Sequence, residues 1–232
     1  MLSRREQSIA DRKARILNAA RTIIARDGYD ALTTRGLAEA AGVTPPTLYN
    51  LVGDKTAIIS AMASTTVEAL WDRLEFDRRA TPMAMADAVL DEAFAQIMDA
   101  PAFSRGTFLA LERLGIAFAY DPIREDVGAY TARRSVEMAE YTCHAATKTG
   151  QLRGNLDPHE LAVQMFGAYR SALDDWLHEA IGPDEMLRRQ RIGFYSVLCA
   201  DASDEFRAEL IERIRNLTKP QAVRPESKRE AA

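Results

Sequence analysis

The sequence predicts an all-α protein: an N-terminal three-helix head that carries a helix-turn-helix, followed by a larger helical body. Three observations lead there. The stretch TTRGLAEAAGVTPPTLYNLV, from Thr33 to Val52, has the caps, turn glycine and apolar spacing of two short crossed helices. Capping residues stand directly before proline at Thr44-Pro45, Thr81-Pro82, Asp121-Pro122 and Asp157-Pro158. That pairing marks helix starts, because the N–H that proline lacks would have had no helical partner there. No stretch shows the sustained apolar–polar alternation of a half-buried strand.

Composition sets the bounds. The 232 residues are 47% hydrophobic and 28% charged, enough for a proper core in one or two domains. No apolar run approaches the roughly 20 residues that span a bilayer. The opening MLSRREQSIADRKAR lacks the apolar segment of a secretory signal. Cys143 and Cys199 are far apart in helical patterns, which reads as reduced, buried thiols in a cytoplasmic protein and not as a disulfide framework. Residues 1–60 carry a formal charge of +3 on a chain of −4, so the remainder carries −7. A basic head on an acidic body suits a protein whose head alone meets a polyanion.

Residues 1–7 are polar and read as disordered, with Arg4, Arg5, Arg12 and Lys13 either solvated or placed against phosphates. Helix 1 is expected over residues 8–27, burying Ile9, Ile16, Ala20, Ile23 and Ile24, with Gly28 ending it and Tyr29 and Leu32 closing a small core. Helix 2 follows near 34–41, capped by Thr33 or Thr34, with Leu37, Ala38 and Ala41 on one face. Gly42 sits where the chain must turn with positive φ. Thr44 caps helix 3 near 45–51, and Leu48 and Leu51 face back onto Leu37 and Ala38. Helices that cross at roughly 90–120° need a small residue such as Ala38 where they touch. Pro46, Thr47, Tyr49 and Asn50 are left pointing outward, a face that suits docking on DNA; a helical hairpin without a DNA role has the same local pattern.

Asp54 caps helix 4, which should run to Phe76 or Asp77 through Ile58, Met62, Val67, Leu70, Trp71 and Leu74. Lys55 in its first turn opposes the helix dipole, a cost that a phosphate partner would offset. The boundary between domains (1–60 and 61–218) falls inside this helix. Body helices are expected near 82–99, 102–118, 121–149, 157–181, 183–200 and 203–217, with TGQLRGN as a loop and a charged, disordered tail over 219–232.

The block from about residue 10 to residue 60 closely resembles the DNA-binding domain of the TetR family of transcriptional regulators. The features that carry the resemblance are Gly28-Tyr29 before the helix-turn-helix, the AEAAGV turn, and Leu48-Tyr49 followed six residues after the tyrosine by Lys55. One departure is Val52, where the family pattern LYxxFxxK has phenylalanine; the position stays apolar with a smaller side chain. The resemblance implies double-stranded DNA with a palindromic operator as partner, contacted through Thr34, Arg35, Thr44, Pro46, Thr47, Tyr49, Asn50 and Lys55. It also implies a homodimer, a small-molecule effector and the sign of a repressor; an activator, or a regulator without a small ligand, is the alternative.

A pocket between helices 4 to 7 has Trp71, Phe94, Met98, Phe108, Tyr130, Arg134, Met138 and Tyr141 as candidate lining, although any one of them is more often core than pocket. The dimer contact has Phe166, Tyr169, Leu173, Trp176, Leu187, Phe194, Tyr195 and Leu198 as candidates, because the apolar faces of helices 157–181 and 183–200 look wide for one partner; the alternative is that these residues only fill the subunit core. The rival class is a helical-bundle enzyme or metal protein. Against it, the three histidines form no pair of Glu-x-x-His motifs, and no GxSxG, phosphate loop, HExxH or close cysteine pair occurs. Neither a catalytic residue nor a cofactor is expected.

Overall fold

The computed structural model describes residues 3–74 and 81–219. The chain runs through α1 (Arg4–Asp27), a 3₁₀ turn (Tyr29–Ala31), α2 (Thr34–Ala40), α3 (Pro45–Val52), α4 (Lys55–Arg73) and α5 (Pro82–Asp99). It continues through α6 (Pro101–Arg113), α7 (Val127–Lys148), α8 (Pro158–Leu177), α9 (Pro183–Leu198) and α10 (Asp204–Thr218). The only β pairing among the described residues is an isolated antiparallel bridge between Leu152 and Ala202. None of the described helices is long and apolar enough to cross a membrane.

The caps set these helices where local chemistry asks for them. The hydroxyls of Thr33, Thr44 and Thr81 accept from Gly36, Thr47 and Ala84 N–H, and the Asp54 carboxylate accepts from Ala57 N–H at 2.8 Å. Helix 1 starts earlier than its apolar stripe suggests. Ser3 and Glu6 form a reciprocal capping box, so residues 4–7 are helical and not disordered.

Two body boundaries differ from expectation. Helix α6 stops at Arg113, followed by Leu114 and Gly115 at φ +70°, and α7 starts only at Val127. The Asp121 carboxylate accepts from the N–H groups of Ile123 and Arg124, which makes a turn of its own. The cap of α7 is Asp126, which accepts from Ala129 N–H at 3.0 Å. The TGQLRGN loop is tied down, since the buried Asp201 carboxylate accepts from Gly154 and Asn155 N–H. The expected end of helix 4 at Phe76 or Asp77 and the tail beyond Lys219 lie outside the described residues.

The head does not close on itself. Its core joins Ile16, Ala20 and Ile24 of α1 with Leu37, Ala38 and Leu48 of the helix-turn-helix and Ile58, Ile59 and Met62 of α4. The same cluster takes Phe103, Ala110 and Leu111 from α6, so a body helix completes it. Helices α6 and α1 meet closely at Gly106, where a Cβ would stand 2.6 Å from Ile24 Cγ2. In the rest of the body, α8 lies between α7 and α9, and α10 packs on α9.

Candidate nucleic-acid interface and the cavity behind it

The turn between α2 and α3 is built as its residues require. Gly42 has φ +64°, and Val43 N–H donates to Ala38 O at 2.9 Å, which closes the corner. Leu37, Ala38 and Leu48 are fully buried, so α2 and α3 hold each other rigidly. Thr34, Arg35, Thr44, Pro46, Tyr49 and Asn50 are exposed and Thr47 is half-buried. Tyr49 is 64% exposed, which leaves its ring and hydroxyl open to solvent. The Thr44 and Thr47 hydroxyls share a hydrogen bond of 2.8 Å, which fixes the N-terminal edge of α3. Val52, half-buried, packs against the head core, so the smaller side chain keeps its packing place.

Lys55 is held and not merely exposed. Its Nζ lies 3.7 Å from the centroid of the Tyr29 ring, a cation–π contact that fixes the ammonium beside α3. Partial burial lowers its pKa from the ordinary lysine value. Asp30, next to Tyr29, pairs with Arg113 of α6 at 2.6 Å, a second tie between head and body.

Behind the head lies a cavity of about 80 Å³ lined by α4, α5, α6, α7 and α8, with Phe118 from the loop before α7. Its wall takes Ala63, Thr66, Val67 and Leu70 from α4, and Phe103, Ser104, Thr107, Phe108 and Leu111 from α6. Ala93, Gln96 and Ile97 come from α5, Thr131 and Ser135 from α7, and Tyr169 from α8. Phe103 and Leu111 belong both to this wall and to the head core. The Arg21 guanidinium of α1 stands 5.1 Å from the Phe103 ring centroid. Phe103 therefore meets the cavity and α1 of the head at once.

Most of the sequence-based pocket residues are elsewhere. Phe108 lines the main cavity, and Met138 lines a smaller one beside it. Phe94 and Met98 pack against the cluster around Trp176, and Tyr141 faces outward. Trp71, Tyr130 and Arg134 form a surface cluster between α4 and α7. The Arg134 guanidinium lies 4.3 Å from the Trp71 ring, Trp71 Nε1–H donates to Arg134 O, and the Tyr130 hydroxyl donates to Glu68. The Tyr130 hydroxyl, and after it the Arg134 guanidinium at 3.3 Å, hold the Glu68 carboxyl below its ordinary pKa.

The candidate dimer residues are largely internal. Phe166, Leu173, Trp176, Phe194, Tyr195 and Leu198 are each at most 5% exposed within one subunit. Leu187 is half-buried against the core, and Tyr169 lines the cavity. The apolar faces of α8 and α9 look wide because each helix packs on two neighbours inside the chain. The outer faces carry other residues: Gln164, Gly167 and Ser171 on α8, and Arg189, Ser196 and Ala200 following α9 outward.

Residues 16–62 match the family model described as "Bacterial regulatory proteins, tetR family". No curated protein matches the chain in sequence. Among solved structures, the chain is similar to SmeT, the repressor of the Stenotrophomonas maltophilia multidrug efflux pump SmeDEF. The identity is 19%, the match covers 84% of this chain and 92% of that one, and the TM-score is 0.65. It is also similar to TylP, a TetR regulator from Streptomyces fradiae, at 18% identity, with 90% and 96% covered and a TM-score of 0.59. A third similar structure is the fatty acid degradation regulator FadR from Bacillus halodurans, at 15% identity, with 78% and 94% covered and a TM-score of 0.60. At these identities the likeness is one of fold.

Proposed function

We infer a DNA-binding transcriptional regulator of the tetR family, released from its operator by a small molecule; residues 16–62, which match that family's model, and a fold similar to that of SmeT support the reading. The observation that carries this reading is the sharing of Phe103 and Leu111 between the cavity wall and the core of the head. It gives an occupied cavity a mechanical route to the DNA-binding face. The sign of a repressor rests on the likeness to a repressor fold. Selecting bound duplexes from a random pool tests the reading. A palindromic consensus with half-sites about one helical turn apart, roughly 34–36 Å, supports it; an absence of any enriched sequence refutes it.

Thr34, Tyr49 and Lys55 are assigned to phosphates, and Pro46 and Thr47 to base edges, where an apolar contact with a thymine methyl is available. Arg35, Thr44 and Asn50 stand on the same exposed face. Lys55→Ala is expected to weaken binding to every sequence alike and to flatten the salt dependence by about one unit in log–log slope. Titration of operator and random duplex at several salt concentrations checks this. A changed sequence preference with an unchanged slope would move Lys55 off the backbone.

The palindrome calls for two copies, and the exposed faces of α8 and α9 are the proposed contact. Gly193 brings these helices together within the subunit, since a Cβ there would lie 2.4 Å from Ala168 Cβ. Gly167, next to Ala168, is exposed, and a Cβ built on it meets nothing within 4 Å. Gly167→Arg should therefore leave the subunit folded while it disrupts the pair. Sizing should give a monomer with unchanged helicity; a stable dimer would place the contact elsewhere.

A further inference from the structure

We propose that the cavity takes an uncharged, largely apolar molecule that carries a carbonyl-type acceptor for the Tyr169 hydroxyl and a hydroxyl or N–H donor for threonine and serine oxygens. This rests on the reading of the cavity as the effector site, and it names the ligand's chemistry.

The first ground is charge. Among the described residues, no Lys, Arg, His, Asp or Glu lines the cavity. A carboxylate or an ammonium group entering it would leave water for a wall with no opposite charge, a transfer that costs far more than burying a neutral group. Phe103, Phe108, Phe118 and Leu111 supply an apolar surface instead.

The second ground is a count of protons. The wall's hydroxyls already spend their single O–H on helix carbonyls. Thr66 donates to Met62 O, Thr107 to Phe103 O and Ser135 to Thr131 O, each at 2.9 Å. Thr131 donates to Val127 O and Ser104 to Ile97 O. A hydroxyl has one proton and two lone pairs, so these five can offer a ligand only acceptor sites. Tyr169 is the opposite case. No hydrogen bond engages its hydroxyl among the described residues, and burial pushes its pKa to about 12, so it stands as a protonated donor. Gln96 spends one amide N–H on Thr66 O at 2.9 Å and keeps the rest of its amide, which can serve either need. The wall thus offers one unspent phenolic donor against several lone pairs, and the ligand must present the complement.

The volume limits size. At about 10–15 Å³ for each water centre, the cavity has room for several waters, so a small ring compound fits without large wall movement.

The test is calorimetry on the full chain with five para-substituted benzenes. The neutral 4-(hydroxymethyl)acetophenone carries both polar groups. 4-Methylacetophenone lacks the hydroxyl, 4-ethylbenzyl alcohol lacks the carbonyl, and 4-acetylbenzoate and 4-acetylbenzylammonium carry a charge. The neutral bifunctional compound should bind tightest, with both ions at least about a hundredfold weaker. Tyr169→Phe should weaken both neutral ketones by about three- to tenfold and leave 4-ethylbenzyl alcohol unchanged, which also shows that the variant is folded. An ion that binds as well as the neutral compound, an equal loss for all three neutral compounds in Tyr169→Phe, or no binding of the neutral compound would overturn the proposal. Measuring operator binding with the same compounds separates the two readings. If the neutral compounds bind as expected but leave operator affinity unchanged, the ligand class holds and the effector role of the cavity fails.

Discussion

Replacing Gly106 by valine should cost about 1–3 kcal/mol of stability and weaken operator binding, although the residue touches neither DNA nor ligand. A Cβ at this position would stand 2.6 Å from Ile24 Cγ2, closer than packed carbons approach. The Ile24 side chain cannot step aside cheaply. It is 2% exposed in the head core, and a β-branched residue in a helix keeps one strongly preferred χ1 rotamer. Either α6 moves away from α1, or Ile24 leaves its rotamer and disturbs Phe103 and Leu111. Both routes loosen the joint between head and body. Gly106→Ala should fall between wild type and valine, because alanine's better helix propensity, up to ~1 kcal/mol, offsets part of the strain. Thermal unfolding and operator titration of both variants check the expectation. Unchanged melting and affinity in the valine variant would show that the joint yields freely and is no transmission point.

How far the sequence foretold this arrangement depended on the range of the interactions involved. The helix-turn-helix was legible because its determinants are local. Thr33 and Thr44 cap within their own helices, and Gly42 supplies the positive φ its turn needs, whatever packs around it. The start of α7 was not legible, because two aspartates compete for it in DPIRED. Asp121 heads a turn and Asp126 caps the helix. The close seat of Gly128 against Ala117 O, where a Cβ would stand at 2.3 Å, accompanies that choice and joins residues that no helical periodicity relates.

The cavity was missed for a different reason. Large apolar and aromatic residues are the ones a sequence offers as lining, yet a cavity is space that large side chains leave unfilled. Trp71 and Tyr130 are better satisfied at the surface, where ring and polar tip both find partners. The useful signal was the small hydroxyl residues on otherwise buried stripes. Thr107 and Thr131, each 6% exposed, lie on α6 and α7 among apolar neighbours. Core and dimer contact could not be told apart on α8 and α9 from sequence, because a helix packed on two neighbours shows the same wide apolar face as one packed on a second subunit. Only the space around Gly167 and Ala168 tells the outer face from the inner.

Operator DNA is expected to weaken effector binding by the same factor by which the effector weakens operator binding. Two helices reach from cavity to head. Helix α4 begins with Lys55 beside α3, buries Ile58, Ile59 and Met62 in the head core, and one turn later lines the cavity with Ala63, Thr66 and Val67. Helix α6 does so through Phe103 and Leu111, with Asp30–Arg113 as an outer tie. A molecule that wedges these helices apart moves the head relative to the body, and in a dimer that changes the separation of the two recognition faces. A duplex accepts only a narrow range of separations, so phosphate contacts are lost at both half-sites. The effector need only prefer the displaced state: about a hundredfold preference is worth about 2.7 kcal/mol of coupling. Linkage makes the effect reciprocal, and Gly106→Val, by loosening the joint, should bring the factor toward one. Effector affinity measured by calorimetry with and without saturating operator reads it directly. Equal affinities in the wild-type chain would mean that cavity and DNA face are not coupled through that ligand, however tightly it binds.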